Sequence, residues 1–443
     1  MVFVRQKLIV IGALALIAPT IARAEPEPSL DKSDAELGTR VERQKLVRVA
    51  LERSPLLAAS RHKVRALRAD GEAEGSLPPP ELMFEIWQVP FATPLSFGDA
   101  QMIQLGIKQE IPPPGSLSRK REAFEQKARV EGAQALGTER LITREVSHAF
   151  ADYAEAVARH AAHTEHRSVA ERMQSLAQAR QAGGGSLADL AAAEVELARA
   201  DVELAADESR IDGARARLNG LLGRAPDAPL GPPVDEGAMT LAESTSSLSN
   251  RASAQRPELS AARAERAANL AESEAAGREA TWPAFTVGAL YFPPTNVMPE
   301  HSYGVSLSAR LPWLWGGARD RREAARERAL ASSEELENAR RVIAVELASS
   351  TGQVRSETAR HRALAQRVLP AAERARDTAF AGYESGRAQI SAVLTAEQGV
   401  IDTRTQLAAS KASLDHALIE LDFISGAPVR RAPAISNKSE KIP

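Results

Sequence analysis

Two stretches of the sequence carry the same apolar repeat, and this duplication most limits the folds open to the chain. Each stretch has an aliphatic residue at every seventh position, and the two sets lie 203 positions apart. The sets are Leu190, Leu197, Leu204, Ile211 and Leu218, and Val393, Val400, Leu407, Leu414 and Leu421. Such a repeat is typical of a helix that packs along neighbouring helices as in a coiled coil. The sequence therefore predicts two tandem structural repeats rich in long helices.

Glycines flank both heptad stretches. Gly183, Gly184 and Gly185 precede the first stretch, and Gly386 precedes the second. Gly223 and Gly426 follow them at the same offset, and glycine after the last turn commonly ends a helix. Upstream, Ala- and Arg-rich composition predicts long helices over about 116–181 and 318–381. Each repeat is thus predicted to contain a long helical hairpin that turns at glycine.

The ends of the chain read differently from its middle. Residues 1–24 have a basic start, an apolar stretch and a small-x-small site, which indicates a secretory signal peptide of a bacterium. A membrane anchor is the alternative, but about 11 apolar residues are too few to span a bilayer. We expect a first repeat at 25–223, a linker or equatorial region at 224–254, a second repeat at 255–426 and a disordered tail at 427–443.

Four short segments alternate between apolar and polar or small residues, which predicts two β-hairpins with loops near 92–100 and 293–301. Eleven of the 18 aromatic residues, including all four tryptophans, fall in 81–111 and 281–315. Aromatic residues at strand ends are typical of outer-membrane barrels. The residues that we expect to face lipid are Leu82, Phe84, Ile86, Ile103, Leu105, Ile107, Phe285, Val287, Val305 and Leu307.

The sequence leaves the number of chains per barrel open. After the signal region, no stretch is long and apolar enough for a transmembrane helix, so entry into a membrane would have to use strands. Four strands cannot close a barrel; two chains would supply eight strands and three would supply twelve. The alternative is a pair of half-buried hairpins on a soluble domain.

Motifs of catalysis and cofactor binding are missing from the sequence. It contains no Walker loop, dinucleotide-binding glycine pattern, HExxH or nucleophile elbow. It contains no cysteine, and its formal net charge of −2 gives no support to a nucleic-acid partner. His160, His163 and His166 fan out around a helix, so we expect a solvated face there rather than a metal site. We therefore predict neither an enzyme nor a cofactor.

The order of the motifs resembles that of the TolC-like outer-membrane efflux family. Each repeat has a proline-led helix at Ser54-Pro55 or Arg256-Pro257, a strand pair, a Pro/Gly corner, a long helix and a glycine turn. The resemblance implies a mainly α fold with a membrane β-barrel part: a homotrimer with a shared twelve-stranded barrel in the outer membrane of a Gram-negative bacterium. A helical tunnel would extend into the periplasm.

The same resemblance implies a function. The protein would be the passive exit duct of a tripartite efflux pump, working with a periplasmic adaptor and an inner-membrane transporter. The corner Gln109-Glu110-Ile111-Pro112 is most similar to the heavy-metal branch of the family, which makes heavy-metal ions a candidate cargo. The alternative is a periplasmic coiled-coil adaptor or scaffold that does not enter the membrane, although an adaptor would lack the two amphipathic hairpins.

Family resemblance also places a candidate gate near the glycine turns, which would be the adaptor-docking surface. Asp189 and Tyr383 fall on positions that resemble the family's linking residues, and Arg387 lies one position from the usual basic partner. The acidic ring residues of the family do not carry over to this chain, and Glu397 is a weaker candidate for their role. The other interpretation of Asp189 is a helix N-terminal acid that only favours the helix dipole.

Overall fold

The computed structural model describes residues 37–434 except Thr93, Leu95 and Trp315. The predicted signal peptide at 1–24 and the final residues 435–443 lie outside this range. The helices are α1 Arg43–Arg53, α2 Pro55–Glu74, α3 Ser116–Ala182, α4 Leu187–Leu221, α5 Thr245–Gln255, α6 Pro257–Thr281, α7 Ala318–Ala363, α8 Leu369–Glu384 and α9 Ile390–Ser425. The strands are β1 Glu81–Trp87, β2 Met102–Ile111, β3 Met239–Leu241, β4 Ala284–Phe292, β5 Ser302–Arg310 and β6 Arg431–Pro433.

The helices confirm the predicted duplication. In each half, a proline-led helix precedes a strand pair, and a long helix then turns and returns along the heptad stretch. The returning helices α4 and α9 end just before Gly223 and Gly426, whose φ angles are 66° and 81°. L-residues with a side chain rarely adopt this left-handed conformation, so glycine at these positions sets the end of each helix.

The two β-hairpins join into one antiparallel sheet in the order β1-β2-β4-β5. The central pair brings the halves of the chain together, with Leu105 opposite Tyr291 and Ile111 opposite Phe285. β1 and β5 form the two edges of this sheet. The sheet lies at the start of α3, and the glycine turn lies at its other end. Because α3 has 67 residues, these two regions are about 100 Å apart along the helix.

Apolar side chains hold the helical hairpins together at three levels. An apolar face of α3, with Val146, Phe150 and Tyr153, packs on Leu46 and Leu218 in a core of the first half. The second half has its own core around Leu347, Leu414 and Leu421. A third cluster near the glycine turns brings Val169 and Met173 against Tyr383 and Val393. The second heptad stretch is therefore the more deeply buried of the two, with Val393, Val400, Leu414 and Leu421 all in the interior.

A helical irregularity interrupts the second long helix, which we expected to be uniform. A π-helical turn at Leu364–Val368 joins α7 to α8, and the Leu369 amide bonds the Leu364 carbonyl. Pro370 follows directly and has no amide hydrogen to donate to the preceding turn. The extra residue in a π-turn accommodates this missing bond without ending the helix.

The tail and linker contain more order than we predicted. The expectation of disorder after Gly426 is wrong for the described residues up to Ala434, because β6 pairs antiparallel with β3 of the linker. Val429 and Ala434 are buried in the second core, and Arg362 donates to the Ala434 carbonyl at 2.6 Å. The region 224–254 likewise contains β3 and most of α5.

No helix among the described residues has the length and apolar character required to cross a membrane.

Candidate functional site

One face of the four-stranded sheet is apolar and exposed. Residues directly opposite each other in antiparallel strands point to the same side, so the register decides which side chains share a face. Leu82 pairs with Ile107, Phe84 with Leu105 and Ile86 with Ile103. Ile107 is opposite Ala289, which is in turn opposite Val305, while Val287 is opposite Leu307. All ten residues predicted to face lipid therefore lie on one side, and eight of them are exposed in the single chain.

The opposite face is mostly small or polar. Lys108, Gly288 and Ser306 pair across three strands, and Gly106 lies on the same face, opposite Leu290. A Cβ added at Gly288 would clash with the Ser306 hydroxyl and crowd the Lys108 side chain, so a larger residue there would have to displace these neighbours. This division between the two faces is the arrangement expected of a sheet with lipid on one side and water on the other.

Exposed aromatic side chains mark both ends of the sheet. Trp282 and Trp313 lie at the end that continues into the long helices, and both are exposed. Phe91, Phe97 and Tyr303 lie at the opposite end, near the connecting loops, and are exposed as well. Rings with an apolar body and a polar edge favour membrane–water interfaces, so two such levels are consistent with the two surfaces of a bilayer.

The second candidate region is the tip, formed by the turns 183–186 and 385–389. In the first turn, the amide groups of Gly183 and Gly185 both donate to the Arg180 carbonyl, at 3.0 and 2.9 Å. In the second, the Gly386 amide donates to the Tyr383 carbonyl at 2.9 Å. Gly184 and Gly386 have φ angles of 91° and 76°, which explains glycine at both positions. Each turn therefore closes on its own helix end.

Tyr383 links the two helical hairpins at the tip. Its ring is fully buried, and its hydroxyl donates to Asp189 Oδ2 on α4 at 3.3 Å. Arg180 on α3 donates from Nη1 to the Tyr383 carbonyl at 2.8 Å and lies 4.4 Å over its ring. Burial and the nearby Asp189 carboxylate raise the pKa of Tyr383. The phenol therefore stays protonated and can donate.

The structure thus brings together only part of the predicted gate. Asp189 and Tyr383 are in contact, but Arg387 is exposed and its guanidinium donates to the neighbouring Ser385 hydroxyl at 3.2 Å. Arg180 takes the place expected for the basic partner. The sequence did carry one signal for it, because a basic residue in the last turn of a helix stabilises the helix end.

Glu397 does not line an open surface, which corrects our expectation of an acidic ring residue. Its side chain is 4% exposed and lies 3.1 Å from His166 Nδ1 on α3. The other ring nitrogen, His166 Nε2, lies 3.2 Å from Glu196 on α4. One imidazole thus connects α3, α4 and α9. Burial alone would lower the pKa of His166, but hydrogen bonds and charge attraction from Glu397 and Glu196 raise it.

The neighbouring His163 is buried as well, so the expectation of a solvated histidine face is wrong for both residues. His163 Nδ1 lies 2.5 Å from Asp207 on α4, and Arg210 donates to the same carboxylate at 2.6 Å. The physical reason is that both histidines lie on the side of α3 that packs against the other helices. There, an unpaired polar group would be costly.

These features together define a class of protein. Long paired helical hairpins continue into a sheet with one exposed apolar face, which a purely periplasmic adaptor would not need. The chain belongs to the outer membrane efflux protein family, whose family model matches residues 46–224 and 248–427. No curated protein sequence matches it.

Solved structures show the same fold at low sequence identity. The outer membrane protein VceC from Vibrio cholerae matches with a TM-score of 0.71 at 19% identity, covering 87% of this chain and 96% of that one. The outer membrane channel MtrE from Neisseria gonorrhoeae has a TM-score of 0.70 at 19% identity, covering 87% and 89%. CusC has a TM-score of 0.71 at 18% identity, covering 87% and 92%. The family match makes the protein an outer-membrane efflux protein, and these structures show that it has the fold of outer-membrane channels.

Proposed function

We propose that three copies of this chain form one closed duct, in which twelve strands cross the outer membrane above a tunnel of helical hairpins. The four-stranded sheet carries the proposal, because one of its faces is apolar and both of its edges are open. Unpaired strand edges are not tolerated in lipid. All neighbouring strands are antiparallel, so β5 of one copy can pair with β1 of the next in the same alternating pattern.

The strand lengths support the same arrangement. β2, β4 and β5 have 10, 9 and 9 residues, and the edge strand β1 has 7. A tilted strand needs about 9–11 residues to cross the hydrocarbon layer. Four strands are fewer than the eight or so of the smallest barrels, whereas three copies give an even number within the known range. The family resemblance favours three copies over two.

Conduction through this duct is passive, and the chain contributes no catalysis of its own. Energy and choice of cargo come from an inner-membrane transporter, which a periplasmic adaptor connects to the tip. The tip is the expected docking surface because it lies about 100 Å from the sheet along α3. Heavy-metal ions are the proposed cargo class, supported by the Gln109-Glu110-Ile111-Pro112 corner.

Neighbouring residues on β5 provide a direct test of the barrel. Val305 is 82% exposed on the apolar face, and Ser306 faces the other way. Arginine facing lipid near the bilayer centre costs about 2–4 kcal/mol, whereas a water-filled lumen tolerates it. We expect Val305→Arg to reduce the yield of trimers in outer membranes strongly and Ser306→Arg to reduce it much less. Equal yields of the two variants would contradict the assigned faces.

Two further measurements test the duct and its cargo. Purified protein should have the mass of a trimer in detergent and should form conducting channels in planar bilayers. Solubility without detergent and absence of conductance would instead indicate the periplasmic scaffold. A deletion strain complemented with this chain should gain tolerance to copper, cobalt, zinc or cadmium salts. Gained tolerance to organic dyes alone would reject metal ions as the cargo.

A further inference from the structure

Two histidines from different halves of the chain meet about midway along the helical part. His148 on α3 and His416 on α9 are in contact through their Nδ1 atoms. The ring planes are 23° apart and the ring centroids are separated by 4.6 Å. Because the Nδ1 atoms touch while the centroids stay this far apart, the rings meet edge to edge rather than face to face. Each Nδ1 therefore points at the other.

A carboxylate holds the far side of each ring. His148 Nε2 lies 2.8 Å from Glu420 Oε1, and His416 Nε2 lies 2.9 Å from Asp152 Oδ1. Arg217 on α4 donates to the other Asp152 oxygen at 2.7 Å. Carboxylate oxygens accept hydrogen bonds, and Arg217 already donates to one oxygen of Asp152, so each Nε2 is placed to donate and to carry the ring hydrogen.

This hydrogen-bond pattern favours the same tautomer for both rings. A neutral imidazole with hydrogen on Nε2 has a free lone pair on Nδ1. Two lone pairs that point at each other repel unless a cation lies between them. Imidazole nitrogens that bind a metal usually have a carboxylate on their other nitrogen, which fixes the tautomer and the ring orientation. Both rings of this pair have that support.

We propose that His148 and His416 bind a transition-metal ion that imidazole favours, such as Zn²⁺ or Cu²⁺. Among the described residues, no group of three or more His, Asp or Glu side chains gathers as a metal-ligand set. The chain therefore supplies two nitrogens, and water completes the coordination, since the His148 and His416 side chains are 16% and 32% exposed. A Zn–N bond is about 2.0–2.1 Å, so the rings separate slightly to admit the ion.

Such an ion would join the two helical hairpins, because one ligand lies on α3 and the other on α9. Asp152 and Glu420 act as positioning residues through the histidines and do not touch the metal. The inference does not depend on the cargo of the duct, because it concerns binding by the purified protein rather than transport. A failed transport assay would leave it standing, and a failed binding assay would leave the duct standing.

The test uses the purified full chain in detergent after treatment with a chelator. We expect calorimetry to detect one Zn²⁺ per chain, and His148→Gln or His416→Gln to weaken binding at least tenfold. Asp152→Asn and Glu420→Gln should weaken it about 10–100-fold, as is usual for carboxylates behind metal-bound histidines. His160→Gln on the same helix is the matched control and should bind like the wild type.

Spectroscopy of the wild-type protein decides the question even if a variant fails to fold. Electron paramagnetic resonance of the Cu²⁺-loaded protein should show coupling to two nitrogens. With Asp152→Asn, the remaining bound Cu²⁺ should show the same two nitrogens, since that residue only positions His416. Absence of stoichiometric Zn²⁺ uptake between pH 6 and 8 would mean that the pair holds a proton only and would overturn the proposal. Coupling to two nitrogens that persists in both His148→Gln and His416→Gln would also overturn it.

Discussion

Three side chains at the tip join the two hairpins with weak contacts. Asp189 and Tyr383 share one hydrogen bond, whereas Arg180 contacts the carbonyl and the ring of Tyr383. A hydrogen bond of this kind contributes about 0.5–1.5 kcal/mol, so removing it should favour an open tip without unfolding the chain. We expect single-channel conductance to rise in Asp189→Ala and in Tyr383→Phe. The double variant should rise no further, because both changes remove the same bond.

Arg180→Ala tests the third side chain of the tip. It removes contacts that Tyr383→Phe leaves intact, so its effect on conductance should add to that of Asp189→Ala. Arg387→Ala is the control and should conduct like the wild type, because the exposed Arg387 side chain bonds Ser385 of its own turn. If conductance stays unchanged in all of these variants, Asp189 is only a helix N-terminal acid and the tip has no gate there.

Single residues were the hardest level to predict from the sequence. The Asp189–Tyr383 pair followed from a family resemblance, but Arg180 did not, because its contact with Tyr383 spans 203 positions. Glu397 was expected at an open surface and is buried, although the sequence contained a signal for its burial. It lies four positions after Val393 and three before Val400, both buried, which is the spacing of a packed seam. A charged residue at such a position indicates a buried partner, and His166 is that partner.

The His166 side chain couples helices α3, α4 and α9, because it contacts Glu196 and Glu397. The pKa of His166 is raised above the ordinary value of about 6.5. The folded state therefore holds this proton more tightly than the unfolded state does. The resulting stabilisation is complete below about pH 6.5 and is lost as the pH rises through the folded-state pKa. Thermal unfolding should show this loss, and His166→Gln should remove it.

A second buried histidine provides a control of opposite sign. His361 on α7 faces the Ser410 hydroxyl of α9 at 3.0 Å, and burial together with Lys411 lowers its pKa. The unfolded state then binds the proton more tightly, so stability falls as the pH drops below about 6.5. His361→Gln should remove only this loss of stability at acidic pH. The same pH profile for both variants would contradict the assigned charges. Two arginines also lie beside the carboxylates that contact His166. Arg376 is 4.0 Å from Glu397, and Arg199 is 3.5 Å from Glu196.

Elements were predictable where one period dominated a segment. The heptads fixed α4 and α9, and strict alternation fixed the four strands of the large sheet. The π-turn before Pro370 and the short pair of β3 and β6 escaped prediction for different reasons. A proline inside a helix can be absorbed in several ways, and a three-residue strand has too few residues to show a period.

The whole molecule has its two working ends about 100 Å apart, so a fault at the tip should leave the barrel intact. Leu187, in the first turn of α4, is 68% exposed and adjoins the glycine turn 183–186. Val202 lies further along the same helix with an equal exposure of 68%. If an adaptor packs on the tip, a carboxylate at position 187 must lose water without gaining a partner, which is costly.

We therefore expect Leu187→Asp to form trimers and conduct in planar bilayers, but to fail to restore export in a deletion strain. Val202→Asp makes the same change of charge at an equally exposed apolar residue away from the tip, so trimers of this variant should export normally. Gel filtration in detergent checks assembly of both. Normal export by Leu187→Asp would move the docking surface away from the tip. Loss of conductance in Leu187→Asp would show instead that position 187 acts on the open pathway itself, because bilayers contain no adaptor to dock.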